Sequence, residues 1–138
     1  RPGMNMVNPY NQLQFPCRIR LTAPRSGLSV RFAKYYGGEL IVGYDEATAQ
    51  YFIDRTRAGN ASFYPAFAAR VVAPEKQQSD SIKLTIVLDR SSVELFAEDG
   101  KTVLTALYFP DTAFTYAFLH YKEGVKVKAN YAPAIKRK

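Results

Sequence analysis

Alternation of apolar and polar residues with a period of two is the feature of this sequence that most restricts its fold. The alternation is clearest over residues 28–33, 82–89 and 125–131, where apolar side chains occupy every second position. This pattern is typical of β-strands that have one face against a core and the other toward water. No long window of the sequence has the apolar spacing of a helix. The pattern therefore predicts an all-β protein.

Turn-forming residues divide the predicted strands at regular intervals. Glycine, proline, asparagine and aspartate favour turns because they supply unusual φ values or bond their own backbone. The predicted turns lie at residues 24–27, 37–38, 43–46, 57–60, 74–80, 110–111 and 123–124. Many short strands separated by such turns predict an antiparallel β-sandwich or barrel.

The clearest local prediction is a β-hairpin with a two-residue turn at Asp99-Gly100. Both central residues of such a turn need positive φ, which Asp-Gly tolerates. The register that follows places Glu98 opposite Lys101 and Phe96 opposite Val103, with residues 95 and 104 also paired. It predicts one pair of opposite charges and two apolar pairs, each worth up to about 1 kcal/mol.

The composition fits one globular domain without a metal or cofactor. The 138 residues are 47% apolar and 22% charged, and no apolar run is long enough for a membrane helix. The one cysteine, Cys17, shares the apolar phase of its strand and is predicted to be a buried thiol. His120 is the one histidine, which excludes a multi-histidine metal site. Asp45, Glu46 and Asp54 match no calcium-loop spacing.

The formal net charge of +7 raises the question of an anionic partner. Most strand cations occupy polar positions of the alternation, which predicts solvated strand faces and no nucleic-acid partner. These cations are Arg18, Arg20, Arg31, Lys83, Lys126 and Lys128. The one basic run is the terminal 136–138 segment. Weak binding of polyanions stays open as an alternative if the basic faces align.

Two related motifs, at residues 51–60 and 88–96, each lead an apolar strand into Asp-Arg and small polar residues. In a structural interpretation, Arg55 and Arg90 pair with nearby carboxylates and tie strand ends together. In a functional interpretation, the same groups line a sugar pocket, with a tyrosine against the sugar ring. The candidate site residues are Asp54, Arg55, Asp89, Arg90 and Glu94, and the candidate tyrosines are Tyr44, Tyr51 and Tyr64.

Together with residues 61–63 and 108–110, these motifs resemble the C-terminal β-sandwich module of glycoside hydrolase family 32, which contains invertases, inulinases and levanases. The resemblance begins near residues 8–10 and covers nearly the whole chain. It implies a two-sheet antiparallel β-sandwich of the concanavalin A-like lectin/glucanase type over residues 8–138. Residues 1–7 are then predicted to be the remnant of an interdomain linker.

The resemblance implies a non-catalytic role, because the family's catalytic residues lie on a separate upstream β-propeller. The chain contains Val7-Asn8-Pro9 but no Asn-Asp-Pro, Arg-Asp-Pro or Glu-Cys motif. We therefore expect an accessory domain of an extracellular or periplasmic fructan-hydrolysing β-fructosidase. Its expected partners are the N-terminal catalytic propeller of the same protein, fructan oligosaccharides and a second copy of itself. The alternative is a stand-alone fructan-binding module.

Overall fold

The computed structural model describes residues 2–9, 11–35, 37–58, 69–108 and 113–134. In this part of the chain the regular elements are eleven β-strands and one 3₁₀ turn at Glu98–Gly100. The strands are β1 (Pro2–Met6), β2 (Cys17–Pro24), β3 (Leu28–Ala33), β4 (Glu39–Asp45), β5 (Gln50–Asp54), β6 (Arg70–Pro74), β7 (Ser81–Leu88), β8 (Ser92–Ala97), β9 (Thr102–Leu107), β10 (Tyr116–Lys122) and β11 (Lys128–Pro133).

The strands form two antiparallel sheets that pack as a sandwich. The six-stranded sheet has the order β1-β10-β3-β4-β5-β6, and the five-stranded sheet has the order β11-β2-β7-β8-β9. The predicted all-β fold of two antiparallel sheets is confirmed. Strands β3 to β6 and β7 to β9 are sequential neighbours, so most connections within each sheet are short hairpins.

The core lies between the sheets and is built from every second strand residue. In β2, for example, Cys17, Ile19, Leu21 and Ala23 are buried while the residues between them point outward. Full burial of a large apolar side chain contributes about 1.5–3 kcal/mol. The predicted buried state of Cys17 is confirmed, and burial, followed by the charge of Asp89, raises the pKa of its thiol to about 12. This thiol is therefore unreactive at neutral pH.

The β8–β9 hairpin has the predicted register, with Phe96 opposite Val103 and Leu95 opposite Leu104. Asp99 and Gly100 have positive φ values of 56° and 83°, but Glu98 also has a positive φ of 53° and strand pairing stops at Ala97 and Thr102, so the predicted two-residue turn is wrong and residues 98–101 form a four-residue loop. The predicted charge pair across the turn is wrong. The carboxylate of Glu98 accepts hydrogen bonds from the backbone of residues 76 and 77 and from the Thr102 hydroxyl, because the 75–80 connection passes beside it.

One further turn prediction needs correction, and two lie wholly or partly outside the described residues. Residues 43–45 belong to β4, and the turn falls at residues 46–49. Gly43 serves a close approach between strands, because a Cβ there would overlap the backbone of Leu28 and Ser29 in β3. The turn at 110–111, the last residues of the turn at 57–60, the segment 61–63 and Tyr64 lie outside the described residues.

The first residues of the chain form an edge strand of the six-stranded sheet. Strand β1 pairs antiparallel with β10, from Pro2 opposite Lys122 to Met6 opposite Phe118. That residues 1–7 are the remnant of an interdomain linker stays a prediction, because a segment that pairs as a strand can also lead to another domain.

Candidate functional site

Both Asp-Arg motifs lie at one end of the sandwich, one motif on each sheet. Asp54 is the last residue of β5 in the six-stranded sheet, and Asp89 follows the last residue of β7 in the five-stranded sheet. We call this region, defined by Asp54, Arg55, Asp89 and Arg90, the motif end. The third motif-bearing strand, β8, starts here as well and contributes Glu94 on its outer face, between Val87 and Thr105 in the register.

The segment at the end of β9 connects the two motifs. Arg55 Nη1 donates a 2.8 Å hydrogen bond to the carbonyl oxygen of Leu107, which reaches from the six-stranded to the five-stranded sheet. The hydroxyl of Tyr108 donates to the carbonyl oxygen of Asp89, and the Tyr108 amide donates to Ser91. Tyr108 is buried against Phe114. These contacts fix the ends of β5, β7 and β9 relative to one another.

The two aspartates act as turn caps. Asp54 Oδ1 accepts from the backbone amide of Thr56 at 3.0 Å and from its hydroxyl at 2.6 Å. Asp89 Oδ1 accepts from the amide of Arg90 at 2.8 Å. The guanidinium of Arg90 lies 5.3 Å from the ring centre of Phe15, a cation–π contact. The predicted pairing of Arg55 and Arg90 with nearby carboxylates stays a prediction, and the contacts described for these residues run to backbone groups and to a ring.

The space beside Asp54 is too small for a sugar. A cavity of about 30 Å³ lies between Glu39, Ile41, Asp54, Thr56 and Arg57, which is room for only a few water molecules. The tyrosines Tyr44 and Tyr51 are 1% and 3% exposed, so neither presents a ring face to a ligand. Sugar binding by the five candidate residues stays a prediction.

A larger groove, which sequence reasoning missed, crosses the outer face of the six-stranded sheet. The register aligns His120, Ser29, Gly43 and Phe52 across four neighbouring strands. The two small residues lie between the two large ones, so the sheet surface is depressed over β3 and β4. The groove has a volume of about 490 Å³, within the range of about 300–1,000 Å³ for ligand sites. We call it the sheet groove.

The lining of the sheet groove combines aromatic, charged and neutral polar groups. The guanidinium of Arg70 lies 4.4 Å from the ring centre of Phe52 and 3.6 Å from Asp45 Oδ2. His120 Nε2 accepts a 3.3 Å hydrogen bond from Arg31 Nε. Burial, followed by the positive charge of Arg31, lowers the pKa of His120, so the imidazole is neutral at pH 7 and carries its proton on Nδ1.

At the opposite end of the sandwich, a buried carboxylate holds the connection between β6 and β7. Both oxygens of Glu75 bind Arg25, at 2.5 and 2.6 Å, and Oε1 also accepts from the Tyr44 hydroxyl at 2.8 Å. The Glu75 side chain is 4% exposed. The hydrogen bond from Arg25 lowers the pKa of Glu75, while burial, followed by the bond to Glu75, raises the pKa of Tyr44 to about 12.

The described residues contain no candidate metal site and no candidate membrane-spanning helix. No group of three or more histidine, cysteine, aspartate or glutamate side chains is arranged there to hold a metal ion. None of the helices in the same residues has the length and apolar character to cross a membrane.

Comparison with known families gives a match over nearly the whole chain. The family model described as "Glycosyl hydrolases family 32 C terminal" matches residues 8–133. A levanase of Bacillus subtilis (strain 168) is 44% identical over 90 residues, which cover 64% of this chain and 13% of the levanase. A levanase of Bacillus sp. (strain L7) is 33% identical over 130 residues, covering 91% of this chain and 14% of that protein.

The structural comparison gives the same family. The crystal structure of exo-inulinase from Aspergillus awamori superposes with a TM-score of 0.74 and 29% identity, over 94% of this chain and 26% of the inulinase. A fructofuranosidase from Schwanniomyces occidentalis has a TM-score of 0.69 at 12% identity, which shows the shared fold. The chain thus spans about one seventh of the length of the two levanases.

Replacement of Arg55 by alanine is expected to lower the free energy of unfolding by about 1.5–3 kcal/mol, the range for hydrogen bonds to charged groups. The bond to Leu107 joins two sheets, so its loss separates the end of β5 from β9. Arg57→Ala is the matched control, because the Arg57 side chain is 78% exposed and should change stability little. Urea denaturation measures the free energy of unfolding of both variants. Equal losses in the two variants would contradict a stabilising role for the hydrogen bond between Arg55 and Leu107.

Replacement of Glu75 by glutamine is expected to lower stability at pH 7 and to flatten its acid dependence. The pKa of Glu75 is lower in the folded state than in the unfolded state. The ionised carboxylate therefore stabilises the fold at any pH above the unfolded-state pKa. This stabilisation is lost as the pH falls through the lowered folded-state pKa. The urea midpoints of wild type and variant should therefore converge in acid. Glu46→Gln, in the exposed turn after β4, is the control. If the urea midpoints of wild type and Glu75→Gln change in parallel with pH, ionisation of Glu75 does not contribute to the pH dependence of stability.

Proposed function

We propose that this chain, which belongs to the glycosyl hydrolase family 32 C-terminal family, is the non-catalytic accessory domain of a fructan-hydrolysing β-fructosidase. In this proposal it packs on an N-terminal catalytic β-propeller of the same protein and stabilises it. The observation that carries the proposal is that this chain matches only a small part of the length of each relative. The chain corresponds to 13–17% of levanases and of an extracellular exo-inulinase, so most of each relative lies outside the matched part.

The contacts of the acidic side chains support a non-catalytic domain. Retaining glycosidases need two carboxyl groups about 5–5.5 Å apart at the scissile bond. Here Asp54 caps a turn, Glu75 is bound by Arg25 and Tyr44, and Glu98 is bound by the 75–80 connection. Each of these carboxylates therefore serves the fold.

The motif end is the best candidate for the surface that meets the propeller. Leu107 is 49% exposed and Tyr35, just after β3, is 82% exposed at the same end. The backbone at Leu107 is fixed by the hydrogen bond from Arg55 and by the bond from the Tyr108 amide to Ser91. A rigid surface with exposed large apolar groups is suited to a permanent contact between domains. A second copy of the chain is the other partner that this surface fits.

A second candidate function, fructan binding, is favoured by the sheet groove. Its wall groups include the aromatic ring of Phe52, the neutral imidazole of His120 and the hydroxyl of Ser29. The imidazole and the hydroxyl suit the hydroxyl groups of a sugar, whereas the Phe52 ring is 9% exposed beside the Arg70 guanidinium and offers little stacking surface. We place the fructan-binding alternative here, at a distance from the Asp-Arg motifs.

We propose an extracellular or periplasmic location for the parent protein. The support comes from relatives whose names state it, such as the extracellular exo-inulinase of Aspergillus awamori, which is 40% identical over 67% of this chain.

The accessory role predicts that Leu107→Asp weakens the parent enzyme more than it weakens this domain. A charge at the docking surface opposes burial against the propeller. In the full-length parent, we expect a lower thermal midpoint and lower levan hydrolysis, while the isolated chain unfolds as before. Val103→Asp, four residues earlier on the same face of β9 and equally 49% exposed, is the matched control. A parent enzyme that is indifferent to both changes would remove this docking surface.

The fructan-binding alternative predicts saturable binding that a bulky residue in the groove abolishes. Levan and inulin oligosaccharides are titrated into the purified chain by calorimetry at low and high salt. Ser29→Leu fills the floor of the groove, and Thr85→Leu is the control at a matched outward position on the other sheet. Binding that survives Thr85→Leu and disappears with Ser29→Leu supports the alternative. No heat with the unaltered chain leaves the accessory role alone.

A further inference from the structure

The two outer faces of the sandwich differ in their charge. The strands of the six-stranded sheet expose Arg31, Arg70 and Lys122 on the outside, together with Glu39, Asp45 and Asp54. These charges cancel. They also pair, since Arg31 lies 3.9 Å from Glu39 and Arg70 lies 3.6 Å from Asp45. This face has no excess charge for a partner to neutralise.

The outer face of the five-stranded sheet carries four cations on three adjacent strands. Arg18 and Arg20 lie on β2, Lys83 on β7 and Lys128 on β11. We call these four residues the cationic face. Among the outward residues in the described strands of this sheet, the one acid is Glu94, on β8. The ion pairs recorded for the described residues involve none of the four.

The strand register brings the four cations close enough to act together. Lys83 and Lys128 both pair with Thr22, one on each side of β2, so they lie two strands apart. At about 4.8 Å between strands and about 6.8 Å between alternate residues, neighbouring cations are about 7–10 Å apart. This spacing is comparable with the Debye length of about 8 Å at physiological salt, so their potentials add.

We propose that the cationic face binds a linear polymer that carries repeated phosphate or carboxylate groups. A row of anions along such a polymer can neutralise all four cations at once, which releases counterions and removes their mutual repulsion. The hydroxyls of Thr22 and Thr85 and the amide of Asn130 point to the same side as the cations and supply hydrogen bonds.

The other residues of this face favour an anionic polymer without bases. The outward side chains of β11, β2 and β7, the strands that carry the four cations, include the apolar Val87 and Ala132 but no aromatic ring, and the one outward ring in the described strands of this sheet is Phe96, on β8 opposite Thr85. Binding of single-stranded nucleic acid uses aromatic rings on which bases stack. The cationic face is also on the opposite side of the sandwich from the sheet groove, so this inference is independent of the proposed function.

The experiment titrates the purified chain with long-chain inorganic polyphosphate and, separately, with polygalacturonate at several salt concentrations. We expect the logarithm of the affinity to fall linearly with the logarithm of the salt concentration. The double variant Lys83→Gln/Lys128→Gln should bind about twenty-fivefold more weakly at low salt, on a scale of about fivefold per lysine. Its salt slope should fall by about two, or about one for each lysine removed. Binding of one polymer over the other identifies phosphate or carboxylate as the recognised group.

The control keeps the same total charge and changes the other sheet. Arg57→Gln/Lys122→Gln removes two exposed cations from the six-stranded side and should leave both affinity and slope unchanged. Equal weakening by both double variants would overturn the proposal, because net charge alone would then explain binding. The proposal also fails if the unaltered chain binds neither polymer at about 0.15 M salt, or if single-stranded DNA binds more tightly than both.

Discussion

Burial of two apolar sheet faces against each other is the interaction on which the rest of this structure depends. Because side chains alternate across a strand, each buried residue of β2 or β7 fixes its neighbours on the outside. The sheet groove and the cationic face are therefore consequences of the same register that fills the core. A shift of one residue in β2 would bury Arg18 and Arg20 and expose Ile19 and Leu21. Packing of the core therefore also determines which residues lie on the outer surfaces.

The repeated Asp-Arg motif performs one structural task on both sheets. Each aspartate caps the turn that follows it, through the amide of Thr56 in one case and of Arg90 in the other. Each arginine then extends to a different element: Arg55 to the carbonyl of Leu107 and Arg90 to the ring of Phe15. The sequence repeat therefore describes a local solution for ending a strand. The partners beyond the turn differ because the neighbouring elements differ.

Local patterns predicted the features that depend on local chemistry. The β8–β9 hairpin needed only Asp99-Gly100 and the alternation beside it, and its register is as predicted. The partner of Glu98 was not predictable, because the 75–80 connection reaches it only in the folded sandwich. The same limit applies to the sheet groove. Ser29 and Gly43 become adjacent through the pairing of β3 with β4, and no spacing in the sequence indicates that they share a row with His120 and Phe52.

The contact of Arg55 with Leu107 also bears on how the sandwich avoids unwanted assembly. Strand β9 is the edge of its sheet, and Leu107 is 49% exposed there. The Tyr108 amide donates to the carbonyl of Ser91, just before β8, so in an antiparallel ladder the carbonyl of Leu107 points away from β8. The guanidinium occupies that outward carbonyl, which is a group that an incoming strand from another molecule would need for pairing. Arg55, which follows strand β5 of the six-stranded sheet, thereby blocks the addition of a further strand at the end of β9 in the five-stranded sheet.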